Sequence, residues 1–466
     1  MEENLKDRLF NKKESGWKMV DDTEKKNIFD FSKRYIDFLN VSKTEREFVK
    51  AAKKLADENG FKDIMEFESL KAGDKIYFIN RDKSMYLAII GNESIENGLH
   101  IIGSHIDSPR LDLKPNPLVE EGKLAYFKTH YYGGIKKYQW TTIPLSIHGV
   151  IVKSNGEKIE VNIGEDENDP IFTITDLLPH LAQTQMEKKL KDGVEGENLS
   201  LLVGSIPYDE KECTEQVKLN ILNILNKKYG ITEVDLTSSE LELVPQFKAR
   251  SLGLDESMVA AYGQDDKVCA FTSLAAMMEL NNVKNTAVCI LSDKEEVGSM
   301  GNTGMESHMF DFFISEMLNK LGINRPNLLD KVFCFSKMLS SDVDAGFDPL
   351  YASVSDKNNA GFLGEGISLN KYTGARGKSG ASDANAEFVA WVRSVLEKNN
   401  ILYQIAELGK VDIGGGGTIA YILANKGADV IDCGVPVLSM HAPYEVTSKY
   451  DIYSAYEAYK AFFEQM

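Results

Sequence analysis

Apolar residues recur every three or four positions through the first 70 residues, at Phe29, Phe31, Tyr35, Ile36 and Leu39 and again at Phe48, Ala51, Ala52 and Leu55. That period predicts amphipathic helices. The pattern then shifts. "KIYFINRDKSMYLAIIGN" predicts a hairpin with a polar turn around Asp82, and "LHIIGSHIDSP" a short apolar strand broken by glycine and then proline. Runs such as "LHIIG" and "TAVCIL" do not alternate, as expected of strands buried on both faces.

From about 111 to 245 the character changes. "LDLKPNPLVEEGKLAYFKTHYYGG" and "TTIPLSIHGVIVKSNGEKIEVNIG" alternate and are punctuated by Gly, Pro and Asn, which predicts β-hairpins. "EKKLKDGVEGENLS" reads as an exposed loop. After 255 strands and helices alternate again. "DKVCAFTSLAAMMEL" predicts a helix, "NTAVCILSD" a strand, "MFDFFISEMLNKLG" a helix and "KVFCFSKML" a strand. "SDANAEFVAWVRSVLEKN" (helix), "LYQIAEL" (strand), "GTIAYILANKG" (helix), "DVIDCGVPVLSM" (strand) and a C-terminal helix complete the chain. The expected fold is α/β, with a central, largely parallel (mixed) sheet flanked by helices. Residues 1–110 and 246–466 form that domain, interrupted by a β-rich inserted domain at 111–245.

Composition narrows the function. The 466 residues are 43% hydrophobic and 27% charged, enough for a large core or two domains. A net charge of -18 argues against a nucleic-acid groove, because phosphate repels it. Five scattered cysteines without a CxxC pair fit buried free thiols in a reducing compartment. The opening "MEENLKDRLFNKKESGWKMV" lacks the apolar segment of a secretory signal. No run approaches the roughly 18 apolar residues of a membrane span. The expectation is a soluble, cytoplasmic protein that binds neither membrane nor nucleic acid.

Open α/β sheets place their chemistry beyond the carboxyl ends of strands. Here "LHIIGS" leads to His105 and Asp107, "TAVCILSDK" to Glu295 and Glu296, "KVFCFSKMLSS" to Asp342, and "VPVLSM" to His441; the pair Asp265-Asp266 opens a helix. Singly, each has a plain explanation. Asp265 or Asp266 could cap a helix, Ser292-x-x-Glu295 fits a capping box, and Asp342 and Asp344 suit a turn. Together, two of only seven histidines and several acids recur at equivalent positions. A mixed imidazole and carboxylate set suits Zn²⁺, Co²⁺ or Mn²⁺. Two such ions need a bridging carboxylate, and His105, Asp265 and Asp342 for one with Asp265, Glu296 and His441 for the other satisfy that count. Glu295 is then free to take a proton from the attacking water and pass it to a leaving amine. Asp107 is placed to accept the His105 N–H.

The segments "GSHIDSPRLDLKP", "YGQDDKVCAF", "SDKEEVGSMG", "SSDVDAGFDP" and "SMHAPYEV" resemble, in order and over nearly the whole chain, the aspartyl aminopeptidase family. That family includes vacuolar aminopeptidase I and belongs to the dinuclear zinc exopeptidases. The resemblance implies a zinc-exopeptidase-like fold and two divalent metal ions per subunit, zinc first. It implies a hydrolase that removes acidic or neutral N-terminal residues from peptides. Carried over by motif, His105, Asp265, Glu296, Asp342 and His441 are metal ligands, Glu295 is the general base and Asp107 the orienting aspartate. The insertion at 111–245 corresponds to the family's oligomerisation domain, which implies a homo-oligomer, a dodecamer. His180 keeps a P-H-L-A context, but the residues after it depart from the aspartyl-specific pattern. Lys371, Arg376 and Lys378 are the basic residues near the expected side-chain pocket, with solvated loop charges the plainer explanation for each. "VDIGGGGTIAYIL" lacks the Lys-Ser/Thr of a phosphate loop, so its glycines fit packing or close approach of a peptide. The alternatives are a related di-metal carboxypeptidase or deacylase, and a non-catalytic assembly protein on this scaffold.

Overall fold

The structure, a computed structural model, describes residues 5–10, 14–374 and 376–464. The chain divides into two compact units. Unit 1 comprises Met1–Asp107, Ala249–Met440 and Glu445–Met466, and unit 2 comprises Ser108–Lys248 and His441–Tyr444.

Unit 1 is built on a nine-stranded mixed sheet. Four neighbouring strands at its centre run parallel, in the order Ala287–Ser292, His100–His105, Lys337–Ser340 and Asp429–Gly434. Both faces of these strands are covered, which explains the absence of alternation. Ile102, Cys289, Leu291, Leu339 and Ile431 pack into one core together with Phe31, Phe271, Phe388 and Phe462 from the helices. Their neighbours Ile101, Val288, Ile290, Met338 and Val430 enter a second core with Phe310, Phe313 and Val332. A slip of one residue in any strand would exchange these two sets, so the register is fixed from both sides.

The hairpin around Asp82 forms between Lys75–Asn80 and Ser84–Ile89. Arg81 and Asp82, in the three-residue loop that Lys83 completes, both have positive φ, which suits the twist of paired strands. Some elements differ from the sequence expectation: "DVIDCGVPVLSM" forms two strands, Asp429–Gly434 and Pro436–Leu438, in different sheets, and the expected loop "EKKLKDGVEGENLS" contains the short helix Leu190–Gly193. "KVFCFSKML" reads as a strand, yet Leu328–Phe335 is helical and the strand covers only Lys337–Ser340. The cause is a switch of period within one apolar run. Leu328, Val332 and Phe333 face the core at helical spacing, while Cys334 and Phe335 are exposed.

A five-stranded sheet also belongs to unit 1, in the order Arg250–Leu252, Met258–Ala261, Glu445–Ser448, Pro436–Leu438 and Asp344–Ala345. Unit 2 carries a six-stranded antiparallel sheet, with Leu145–Val152, Ser239–Pro245 and Arg110–Glu121 as central members. The pairing of Arg110–Glu121 with Leu124–Tyr132 shifts between Leu113 and Leu118, where Pro115 and Pro117 have no N–H to donate.

Candidate metal centre

The parallel strands end side by side, and the segments beyond them bring His105, Asp265, Glu295, Glu296 and Asp342 together. His105 closes its strand and is only 2% exposed. Its Nδ1 lies 3.1 Å from the carbonyl oxygen of Asp107 and 3.3 Å from the Asp107 carboxylate. That leaves Nε2 facing Asp265 at 3.2 Å, Asp342 at 3.8 Å and Glu295 at 3.9 Å.

The glutamate doublet comes after a break in the chain. Lys294 adopts the left-handed conformation at φ +68, and Glu295–Val297 forms a single 3-10 turn. Extended backbone would point the two side chains apart. The turn removes that alternation. Ser292 does not cap it; its hydroxyl donates instead to the Asp293 carbonyl. The turn is held by Asp107, whose carboxylate accepts the Glu295 N–H on one oxygen and the Glu296 N–H on the other, both at 3.2 Å. Asp107 thus orients the imidazole and the glutamate turn together.

Sequence reasoning missed the support beneath this turn. Asp293 is fully buried, with Thr303 donating to it at 2.6 Å and the Lys83 ammonium 3.7 Å away. Lys83 also lies 3.0 Å from the buried Glu45. Burial first, and then the Glu45 charge, push the Asp293 carboxyl up to about 7 against the opposing Lys83. In the sequence Lys83 is only a polar turn residue, and nothing in its spacing signals this role.

Both aspartates of the pair contribute. They begin the helix Gln264–Glu279, but neither has helical dihedrals, and the residue before it, Gly263, has no side chain to cap that end. One ligand atom from each of His105, Asp265 and Glu296 lies within 4.8 Å of the others, and the same holds for His105, Asp266 and Asp342. The sequence marks Asp266 only as the second of a pair. Here its Oδ2 accepts the His105 backbone N–H at 3.3 Å, and its buried Oδ1 has no hydrogen-bond partner among the described residues. His441 groups with unit 2, where its Nδ1 lies 2.8 Å from the carbonyl oxygen of Gly134.

The electrostatics are those of an anionic cluster in a poor solvent for charge. Burial, followed by Asp342, Asp107 and Asp265 and opposed by His105, pushes the Glu295 carboxyl up to about 8. Burial also raises Asp342 and Asp266 above the usual carboxylate range. Burial works against a proton on His105, but its hydrogen bonds to Asp107, Asp265 and Asp342 outweigh that and hold its pKa well above the ordinary value. Divalent ions fit this donor set. One imidazole nitrogen and several carboxylates converge, a buried oxygen lacks a partner, and the crowded negative charge needs a counter-charge.

The candidate cations for an acidic substrate side chain have other partners. Lys371 and Lys378 lie 3.6 and 3.0 Å from Asp383, with all three side chains well exposed. His180 is exposed in the short turn Pro179–Leu181 of unit 2.

A buried imidazole ringed by carboxylates at the carboxyl edge of parallel strands defines the class, an α/β protein with a divalent-metal centre. Comparison with known proteins gives the family. Residues 38–463 match the aminopeptidase I zinc metalloprotease family (M18). A Clostridium acetobutylicum protein described as a probable M18 family aminopeptidase 1 is 52% identical over 458 residues, covering 97% of this chain and 98% of the relative. The crystal structure of an M18-family aminopeptidase from Thermotoga maritima matches with a TM-score of 0.94 at 45% identity, covering 98% and 100% of the two chains. That of aminopeptidase I from Clostridium acetobutylicum matches with a TM-score of 0.92 at 49% identity and the same coverage. The chain belongs to the aminopeptidase I zinc metalloprotease family, and its activity is that of a metallo-aminopeptidase, hydrolysis at the amino terminus of peptides.

Proposed function

We propose that this aminopeptidase works with two divalent ions per subunit, zinc in the first instance with cobalt or manganese able to substitute. The observation that carries this reading is the pair of overlapping ligand groups, His105–Asp265–Glu296 and His105–Asp266–Asp342, around one imidazole. His105, Asp265 and Asp342 would hold one ion, and Asp265, Glu296 and His441 the other, with Asp266 a further donor beside His105. The contact between His441 Nδ1 and the Gly134 carbonyl supports a ligand role, since donation from Nδ1–H fixes the tautomer in which Nε2 carries the lone pair. When bound, the ions supply Lewis acidity that polarises the scissile carbonyl and acidifies water.

The chain's own residues do the rest. Glu295 takes the proton of the attacking water and delivers it to the departing amine. Positive charge added to the cluster lowers its pKa from about 8 towards neutrality, where a base is effective. Asp107 holds His105 and the glutamate turn in register. The charges acting on Glu295 and Asp342 come from His105 and from carboxylates. Such a surface attracts a free α-ammonium group and repels a terminal carboxylate, which favours an aminopeptidase over a carboxypeptidase. Acidic or neutral first residues are the expected substrates. Ile171, Leu177, Leu178, Leu181, Met186 and Leu190 are all exposed within one stretch of unit 2, which supports homo-oligomerisation through the inserted domain, up to the dodecamer implied by the family resemblance.

The test is a panel of chromogenic aminoacyl substrates, each free or N-acetylated, assayed with chelator and with Zn²⁺, Co²⁺ or Mn²⁺ restored. Turnover confined to free amines, lost on chelation and regained with metal, is expected. Equal turnover of acetylated substrates would overturn the reading.

A further inference from the structure

The motif "SMHAPYEV" contains one acid that the mechanism does not use, Glu445. It opens the strand Glu445–Ser448, is 1% exposed, and sits opposite Ala261 in the antiparallel pair with Met258–Ala261. Its Oε2 accepts the backbone N–H of Asp265 at 3.0 Å, inside the protein and across 180 residues of sequence.

The same short region is tied a second time. Gln264, fully buried, donates from Nε2 to the Glu445 carbonyl at 2.7 Å and to the Val259 carbonyl at 3.2 Å. Its Oε1 accepts from the Tyr35 hydroxyl at 3.4 Å. The start of the helix Gln264–Glu279 is therefore held by Glu445 and Gln264. The His105 backbone N–H in turn binds the Asp266 carboxylate.

An unsatisfied N–H at a helix start is normally met by Ser, Thr, Asn or Asp just before it. Gly263 stands there and supplies no side chain. A neutral cap would satisfy the N–H without burying another negative charge beside an acidic cluster, so capping alone explains Glu445 poorly. Its reach matters more. The carboxylate is delivered from a separate strand at the length that meets Asp265, the residue whose side chain faces His105 Nε2 at 3.2 Å.

We propose that Glu445, braced by Gln264, is a positioning residue for the divalent-cation site: by accepting the Asp265 N–H it aims the Asp265 carboxylate at the ions. This rests on the two-ion reading above. Two substitutions separate reach from charge. Glu445→Gln keeps the chain length and an acceptor oxygen but loses the charge, whereas Glu445→Asp keeps the charge and withdraws the acceptor by one methylene. Zn²⁺ affinity is measured by chelator competition on the metal-stripped, folded full-length protein, with the melting temperature of the stripped protein recorded alongside. Glu445→Gln is expected within about 3-fold of the parent and Glu445→Asp to bind ~10-fold or more weakly, the range seen when groups that orient metal ligands are disturbed. Any other order, Asp equal to or tighter than Gln or both variants parental, overturns the proposal. A parent that binds no divalent ion would instead overturn the two-ion reading, so the two failures are distinguishable.

Discussion

Glu295 is the residue whose removal tests the chemistry most directly. Glu295→Gln is nearly isosteric, and the turn that carries it is held through the backbone. The Glu295 N–H donates to Asp107, and Lys294 sets the break before it. The ligand groups do not include Glu295, so metal occupancy should stay at the parental level. A positioned general base contributes about 10²- to 10⁴-fold, or ~3 to ~5 kcal/mol at 1.36 kcal/mol per decade. The expected result is a fall in kcat of that size with KM little changed, measured by stopped assay beside elemental analysis.

A second readout comes from the metal-free protein. The Glu295 carboxyl rises from 4.5 to about 8 on folding. The folded state therefore favours its proton, and the stability tied to that proton is present below pH 4.5 and lost as pH rises towards 8. Glutamine has nothing to lose, so the melting-temperature advantage of stripped Glu295→Gln over stripped parent should widen from pH 5 to 8. A variant with full metal and kcat within 10-fold of the parent would falsify the assignment of Glu295 as base.

Other substitutions probe the ligand set and the sheet beneath it. Asp107→Asn loses an acceptor shared by the His105 ring and two backbone N–H groups, and should cost ~10- to 100-fold in metal affinity, read by chelator competition; parental affinity would refute the shared-anchor role. His441→Ala should retain one ion equivalent of two by elemental analysis with an unchanged circular dichroism spectrum, and two retained equivalents would remove it from the ligand set. His100, at the start of a central strand, is pushed down from 6.5 to about 4 by burial first and then by Lys337. Its folded form resists protonation, so its contribution is complete above pH 6.5 and lost as pH falls towards 4, by about 3 kcal/mol. The acid limb of the stability curve should flatten in His100→Gln, and an unchanged limb would show that other groups set it.

Much of this is legible in the chain because the signals are local. Apolar runs without alternation mark strands buried on both faces, and the acids and histidines just past them mark the edge where such sheets do chemistry. The helix Leu328–Phe335 escapes such a reading because a run of apolar residues shorter than a dozen does not reveal its period, and the switch to a strand occurs within it. Asp266 is hidden for a related reason. Adjacent carboxylates in regular backbone diverge, and only the non-helical dihedrals of this pair bring both to His105.

By itself, then, the sequence determined the alternation of strands and helices and the residue types available at each strand end, since hydrophobic period and side-chain chemistry are properties of neighbouring residues. The tertiary structure alone decided how those residues act on one another. Asp107 could be predicted to orient His105, but that it also grips the Glu295–Glu296 turn depends on two strands far apart in sequence meeting in parallel register. Lys83 under Asp293 and Glu445 against the Asp265 N–H are likewise contacts between distant segments. Burial is equally a product of the whole fold. It turns a run of ordinary acids into a cluster in which one carboxyl stands near pH 8, and that cluster calls for metal.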